Sequence, residues 1–281
     1  MERIKAALER ARAEQQSAAG AIASGAEAKR GGDGRDMRQT TAPPTEVKVS
    51  YRKTATVPVD ATRLRDNRII LTQQQDVIAD AYKVLRTHVL QRMRTNGWKT
   101  FAVTSPMDGN GKTLTAVNLA ISLAQDVNQT ILLVDLDLRR PTLGRYLWDS
   151  PTRGISDYLT EGVELGDILI HPGVERLTIL PGNQSFTQSS EMLSSPRMIQ
   201  LVQELKTRYE NRLILFDMPP LLTTDDVLAF LPHLDAVMLV IEDSKTTTDQ
   251  LEQAYRLLGD KHIIGTVLNK SAEASSAAGY Y

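Results

Sequence analysis

A short segment between a strand-like run and a helix-like run has residues suited to binding phosphate. In GNGKT, residues 109–113, two glycines remove side chains where backbone N–H groups must approach phosphate oxygens closely. The lysine adds a cation for the β and γ phosphates, and the threonine hydroxyl suits Mg²⁺. The following apolar run, 114–125, has helical spacing, so its N-terminus would direct free amides at the same anion. The residues predicted to bind nucleotide phosphates are Gly109, Asn110, Gly111, Lys112, Thr113 and Leu114.

This loop departs from the common phosphate-loop pattern G-x-x-x-x-G-K-[ST] at its first position, where the chain has Pro106. The partition and septum-site ATPases also have variant loops, with a signature lysine two residues before the middle glycine. This chain has Met107 at that position. The segment therefore predicts a P-loop NTPase with deviant Walker motifs that lies outside the partition branch.

Three aspartates at the ends of predicted strands could hold a metal ion or take a proton. Asp135 and Asp137 end one apolar run and, being two residues apart, would share a face while the chain is extended. Asp217 ends a later apolar run, and an acid there is the usual second holder of Mg²⁺ in such NTPases. We predict Thr113, Asp135 and Asp217 as Mg²⁺ ligands. A DxD metal site of the kind found in nucleotide-sugar transferases is the alternative for the first two acids.

Six apolar runs, separated by helical or loop segments, would position these side chains. Near-continuous runs of Leu and β-branched residues are typical of parallel strands buried on both faces, and the intervening segments are long enough for crossover helices. The pattern predicts an α/β fold with a doubly wound, mainly parallel sheet flanked by helices and a ligand at the carboxyl ends of the strands. The predicted strands are 100–105, 130–136, 176–180, 212–218, 236–241 and 262–268.

Composition divides the chain into three parts. Residues 1–60 combine an Ala-, Glu- and Arg-rich stretch with a Gly- and Pro-containing linker and predict a helical or disordered extension. Residues 61–269 form the predicted domain, which includes a long helical pattern over about 74–94. Residues 270–281 have the composition of a flexible linker and end in two tyrosines.

The overall composition narrows the class of protein. The 281 residues have a net charge of −1 and contain no cysteine, which excludes a disulfide framework and thiolate metal sites. A charge so near neutral does not indicate a nucleic-acid or membrane surface. No stretch approaches the roughly 20 apolar residues of a membrane span. We therefore expect a cytoplasmic protein that binds no nucleic acid and does not insert directly into a membrane.

Three segments, in order, resemble the bacterial tyrosine kinases of capsule and exopolysaccharide assembly, and in particular their free-standing cytoplasmic kinase domain. The segments SPMDGNGKT, LLVDLDLRRP and LILFDMPP correspond to the Walker A, A′ and B motifs of that family. Residues 81–89 and 191–198 are similar to further family segments, and the resemblance extends over about 70–281. In the first motif, Asp108 and Asn110 replace the family's usual Pro and Glu.

The resemblance implies an ATP-dependent protein-tyrosine kinase that phosphorylates itself. Lys112, Asp135 and Asp137 would be catalytic, and Asp135 would accept the tyrosine proton. Tyr280 and Tyr281 would accept the phosphate. A partition-like ATPase switch without tyrosine transfer is the alternative that the residues leave open.

The resemblance also implies partners. A membrane-embedded polysaccharide chain-length-determinant protein would activate the kinase and recruit it to the inner face of the membrane. A homo-oligomer would form through the long helix, where Asp80, Lys83 and Arg86 stand at positions that the family fills with Glu, Arg and Arg. Asn269, after the last predicted strand, would contact adenine.

Overall fold

The computed structural model describes residues 54–70, 77–148 and 152–271. Within them, one eight-stranded sheet has the order β1-β4-β5-β3-β6-β2-β7-β8. The strands are β1 (Ala55–Thr56), β2 (Thr100–Thr104), β3 (Thr130–Asp135), β4 (Ile170–His171), β5 (Leu177–Leu180), β6 (Arg212–Asp217), β7 (Ala236–Glu242) and β8 (His262–Asn269).

Helices connect these strands and flank the sheet. A 3₁₀ turn, Leu231–His233, follows the ninth of the helices numbered here. The helices are α1 (Ala61–Asp66), α2 (Val77–Asn96), α3 (Lys112–Leu123), α4 (Leu143–Leu147), α5 (Ile155–Glu161), α6 (Leu165–Ile168), α7 (Ser189–Leu193), α8 (Pro196–Thr207), α9 (Asp226–Phe230) and α10 (Thr248–Leu258).

The strand pairing confirms the predicted fold class. Neighbouring strands pair in parallel except β4 and β5, whose pairing is antiparallel. Alternate side chains enter two separate cores, as the two-residue period of a strand requires. In β2, Phe101 and Val103 belong to one core and Ala102 to the other. A sheet covered on both faces explains why its central strands read as continuous apolar runs.

Helix α3 positions the phosphate loop. Every residue of this helix except Leu114 is buried, so it lies within the protein rather than on its surface. Its packing includes α2, β2, β3 and β6. It begins at Lys112, two residues before the predicted apolar helix, directly after a glycine in the left-handed region. The loop between β2 and α3 therefore has a fixed element at each end.

The sequence did not predict the short elements α1, β1 and β4, of which the two strands lie at one edge of the sheet. Helix α1 begins after Asp60, whose Oδ1 accepts hydrogen bonds from the amides of Thr62 and Arg63 at 2.8 and 3.3 Å. Strands β1 and β4 have two residues each and pair with one another, so the sheet includes residues that precede 61. Residues 1–53 of the extension and most of the tail, 272–281, lie outside the described residues. In the described ranges, no helix combines the length and apolar character needed to cross a bilayer.

Candidate functional site

The phosphate loop depends on two glycines with positive φ. Gly109 has φ 78° and Gly111 has φ 92°, values that side chains with a Cβ rarely adopt. A Cβ on Gly111 would also collide with the side-chain amide of Asn269. Helix α3 starts at the next residue, so its unpaired N-terminal amides lie at the end of the loop. The loop and helix together form the anion-binding geometry that the sequence predicted.

The sheet brings together acids that are far apart in sequence. Strands β3 and β6 are neighbours, and their register pairs Asp135 directly with Asp217. Lys112 reaches the same place from α3, with its Nζ 2.8 Å from Asp137 Oδ2 and 4.0 Å from Asp217 Oδ1. Thr113 accepts a hydrogen bond of 3.4 Å from Lys112 Nζ. The predicted catalytic and metal-binding side chains thus form one buried cluster.

Burial and mutual charge change the ionisation of this cluster. Burial, together with the charge of Asp217, raises the pKa of the Asp135 carboxyl to about 8, and the hydrogen bond from the Leu143 amide opposes that rise. Burial also raises the pKa of Asp217, and the Lys112 ammonium opposes that effect. Burial alone would lower the pKa of Lys112, but the charges of Asp217 and Asp137 outweigh it and raise that pKa. The cluster therefore retains a charged lysine and leaves Asp135 easy to protonate.

Asp217 has the character expected of a cation ligand. Both of its carboxylate oxygens are buried, and neither has a hydrogen-bond partner among the described residues. Such an orphaned acid is costly unless a ligand satisfies it. The same residues contain no group of three or more His, Cys, Asp or Glu placed to hold a metal. Mg²⁺ needs no such group, because it is usually bound by one or two carboxylates with water and substrate phosphates. Thr113, Asp135 and Asp217 therefore fit Mg²⁺.

Comparison with known proteins identifies the family. The model of a family described as an AAA domain matches residues 98–268. The chain belongs to this AAA domain family. Tyrosine-protein kinase YwqD of Bacillus subtilis (strain 168) is 28% identical over 78% of this chain and 93% of its own length. The solved kinase domain of VpsO is 30% identical, with a TM-score of 0.61, and the match covers 69% of this chain and 96% of that domain.

A longer relative matches over part of its length. The succinoglycan biosynthesis transport protein ExoP of Rhizobium meliloti (strain 1021) is 27% identical over 74% of this chain but only 27% of ExoP. The resemblance to bacterial tyrosine kinases of polysaccharide assembly is thus confirmed. Membership of this family of P-loop NTPases implies nucleotide binding.

The two arginines of the A′ segment, Arg139 and Arg140, have different surroundings. Arg139 forms a bidentate ion pair with buried Asp226. Its Nε lies 3.1 Å from Oδ2 and its Nη2 lies 3.2 Å from Oδ1. The Asp226 carboxylate also accepts hydrogen bonds of 2.8 Å from Ser189 Oγ. Arg140 is exposed, and its nearest acid is Asp108 of the phosphate loop at 3.9 Å. Arg140 is therefore the arginine available to a phosphate or a second subunit.

The ends of β7 and β8, which contact the phosphate loop, contain residues that sequence reasoning missed. Asn269 was predicted, and its Nδ2 donates a hydrogen bond of 2.9 Å to the Asn110 carbonyl of the loop. Its contact with adenine stays a prediction. Lys270 was not predicted, and it donates a hydrogen bond of 2.8 Å to the Gly109 carbonyl. Glu242 was also missed, although it ends β7 as Asp217 ends β6, a pattern that could have revealed it.

The residues predicted for oligomerisation lie away from this cluster. Lys83 Nζ is 2.7 Å from Asp80 Oδ1 on the exposed surface of α2. Arg86 Nη1 donates a hydrogen bond of 3.1 Å to the Ser122 carbonyl on α3, so it binds its own chain. Tyr280 and Tyr281 lie outside the described residues. Oligomer formation and the phosphoacceptor stay predictions.

Proposed function

We propose that this protein is an ATP- and Mg²⁺-dependent protein-tyrosine kinase that phosphorylates its own chain. The observation that carries the proposal is the buried cluster beside the glycine loop. In it, Lys112 pairs with Asp137, and among the described residues neither carboxylate oxygen of Asp217 has a hydrogen-bond partner. The similarity to the kinase YwqD over nearly its whole length supports tyrosine as the acceptor.

The loop and α3 would hold the nucleotide. Backbone N–H groups of the loop and the α3 N-terminus bind the phosphates, and the Lys112 ammonium adds charge to the β and γ phosphates. Bound Mg²⁺, held by Thr113, Asp135 and Asp217, would neutralise charge on the phosphates during transfer. Lys112 gives up its contact with Asp137 when it turns to the phosphates, which frees that carboxylate. Phosphoryl transfer asks mainly for positioning and charge stabilisation, and this cluster supplies both.

The chemical step transfers one phosphoryl group to a phenol. The tyrosine hydroxyl oxygen attacks the γ phosphorus, the bond from that phosphorus to the β–γ bridging oxygen breaks, and ADP leaves. The proton of the hydroxyl passes to the Asp135 carboxylate. A phenol has a pKa of about 10, so it needs a base at neutral pH. In the ligand-free protein the raised pKa of Asp135, about 8, leaves this carboxyl largely protonated at neutral pH. The charges of Lys112 and of bound Mg²⁺ would favour its carboxylate form, which can then take the proton. The Asp137 amide hydrogen-bonds Asp135 Oδ1 at 3.2 Å and keeps it in place.

Tyr280 and Tyr281 are the proposed acceptors. The eleven residues that follow Asn269, up to Tyr280, span at most about 36–40 Å when extended, a length that would allow the tail to enter a neighbouring subunit. We further propose a cytoplasmic protein that acts at the inner face of the membrane with a polysaccharide chain-length-determinant protein. Its relative ExoP, a succinoglycan biosynthesis transport protein, supports a role in polysaccharide export.

Phosphosite mapping by mass spectrometry tests this function. The full chain, incubated with Mg-ATP, is expected to gain phosphate on Tyr280 or Tyr281, and Lys112→Met should abolish it. Because removing Lys112 leaves buried acids uncompensated, a second variant with both tyrosines changed to Phe separates folding from transfer. That variant should bind ATP normally and gain no phosphate in the tail. ATP hydrolysis with unmodified tyrosines, even with the membrane partner present, would instead favour the partition-like switch.

A further inference from the structure

Two consecutive residues at the end of β8 hold two consecutive carbonyls of the phosphate loop. Asn269 Nδ2 donates to the Asn110 carbonyl at 2.9 Å, and Lys270 Nζ donates to the Gly109 carbonyl at 2.8 Å. Glu242, at the end of neighbouring β7, lies 3.1 Å from Lys270 Nζ and accepts a hydrogen bond of 3.3 Å from Asn110 Nδ2. We call Asn110, Glu242, Asn269 and Lys270 the loop clasp.

These contacts determine where the loop amides point. In a planar trans peptide, the carbonyl of one residue and the N–H of the next point in opposite directions. All described peptide bonds are trans, so holding the Gly109 carbonyl against Lys270 turns the Asn110 N–H away from the clasp. Holding the Asn110 carbonyl against Asn269 does the same for the Gly111 N–H. Neither N–H donates a backbone hydrogen bond within the described ranges, so both remain available to an anion.

Lys270 adopts an unusual backbone conformation. Its φ is 60°, in the left-handed region that residues other than glycine rarely occupy. Such a conformation persists only where the surrounding structure holds it, and it occurs most often at functional sites. Here the ammonium is held by a loop carbonyl and by a Glu242 side chain that is only 12% exposed. The strained residue is therefore part of the loop support rather than of a free turn.

We propose that Lys270, oriented by Glu242, is a positioning residue. Before a ligand binds, it keeps the phosphate loop in the conformation in which the loop amides face the phosphate site. The inference rests on the nucleotide-binding part of the proposed function and is independent of tyrosine transfer. A loop whose amides already face the anion loses less freedom on binding and needs no reorganisation. Lys270 thus affects phosphate binding through the loop backbone, and this effect does not depend on which base the nucleotide carries.

Calorimetric binding of two ligands to the full chain tests this role. ATP contains the base and the phosphates, whereas inorganic tripolyphosphate contains only phosphates. Lys270→Met is expected to weaken both ligands by the same factor, about tenfold, because a charge-assisted hydrogen bond is lost. Lys270→Arg should restore part of the affinity for both. The thermal midpoint of the ligand-free protein should change little.

Lys245 provides a matched control. Its Nζ lies 3.3 Å from Glu242 Oε2, so Lys245→Met removes the same charge beside the same acid. In the described part of the chain, however, it makes no hydrogen bond to a loop carbonyl. Lys245→Met should therefore leave both affinities within about twofold, as expected for an exposed ion pair. Glu242→Gln added to Lys270→Met should cause little further loss, since the contact with Lys270 is already gone and Gln can still accept the hydrogen bond from Asn110 Nδ2.

The two ligands also separate the alternatives. Weaker ATP binding with unchanged tripolyphosphate binding would assign Lys270 to the base or ribose and overturn the clasp. Unchanged affinity for both ligands, with or without a lower thermal midpoint, would overturn it as well. A wild-type chain that binds both ligands but forms no phosphotyrosine would contradict the kinase proposal alone. A wild-type chain that binds neither ligand would contradict both proposals.

Discussion

At the residue scale, Asp217 is a buried acid that lowers the stability of the ligand-free protein and suits it to bind a cation. A buried acid normally gains hydrogen bonds that offset its desolvation, whereas both oxygens of this carboxylate lack such partners among the described residues. Lys112 supplies charge from 4.0 Å but no hydrogen bond. The carboxylate is thus kept ready for a cation, and the free protein carries an unsatisfied group in its centre.

The raised pKa of Asp135 predicts how the stability of the ligand-free protein changes with pH. Burial raises its pKa from 3.8 to about 8, so the folded state holds a proton that the unfolded chain releases near pH 4. Between those two values the folded state binds more protons, and the free energy of unfolding must fall as pH rises. The slope from this group is at most about 1.4 kcal/mol per pH unit. Asp135→Asn cannot titrate and should lose that slope.

Urea denaturation at several pH values between 4 and 8 measures this effect. Relative to wild type, Asp135→Asn should gain stability progressively as pH rises. The difference at the lowest pH gives the cost of exchanging an oxygen for an amide, since Asp135 accepts hydrogen bonds from two backbone amides. The stability curve of Thr207→Ala, an exposed substitution that removes no titratable group, should run parallel to that of wild type. Parallel curves for Asp135→Asn as well would show that the carboxyl ionises normally.

At the element scale, the sequence predicted the long strands and missed the short ones for a physical reason. Strands β3, β6 and β7 are buried on both faces, so each leaves a continuous apolar run in the sequence. Strands β1 and β4 have two residues each, too few for any period to show. Helix α1 buries only Leu64, so no apolar stripe reveals it.

The residues of the candidate site that could be predicted are those recognisable from their position within a single strand or helix. Asp135 and Asp217 each end a strand, and Lys112 begins a helix, so their types and positions were sufficient. The direct pairing of the two acids depends on β3 and β6 being neighbours, which chain order does not give. The loop clasp depends likewise on β7 and β8 meeting the loop after β2. Lys270 was missed because that meeting is a property of the folded sheet, whereas the position of Glu242 at the end of a strand was visible in the sequence.

The turn into α3 gives a second prediction. Gly111→Ala would place a Cβ at φ 92° and against the Asn269 amide, so the loop must move and nucleotide affinity should fall at least about tenfold. Gly97→Ala is the matched control, because Gly97 also has positive φ, 65°, but has open space around it and lies after α2. It should destabilise the protein by about 1 kcal/mol and leave affinity unchanged. Equal loss of affinity in both variants would mean that general destabilisation, rather than loop displacement, causes the effect.

At the scale of the whole molecule, α2 presents apolar side chains to solvent. Val77 and Val84 are 54% and 58% exposed, and their spacing of seven residues places them on one face of the helix. The charged pair of Asp80 and Lys83 is also exposed on α2. This surface is the one through which we propose that the protein associates with itself. Association matters for the chemistry if the tail of one subunit is the phosphate acceptor for the cluster of another.

Val84→Asp therefore tests self-association and phosphate transfer together. A charge in the proposed interface should lower association in sedimentation equilibrium, and, if the tail is phosphorylated by a neighbour, phosphotyrosine formation should fall in parallel. ATP affinity should not change, because Val84 makes no contact with the phosphate loop in the described structure. Leu257→Asp, at another exposed apolar position on α10, controls for a new surface charge and should leave both properties intact. A dissociated Val84→Asp chain that phosphorylates its tail at a rate independent of protein concentration would show that each subunit modifies itself.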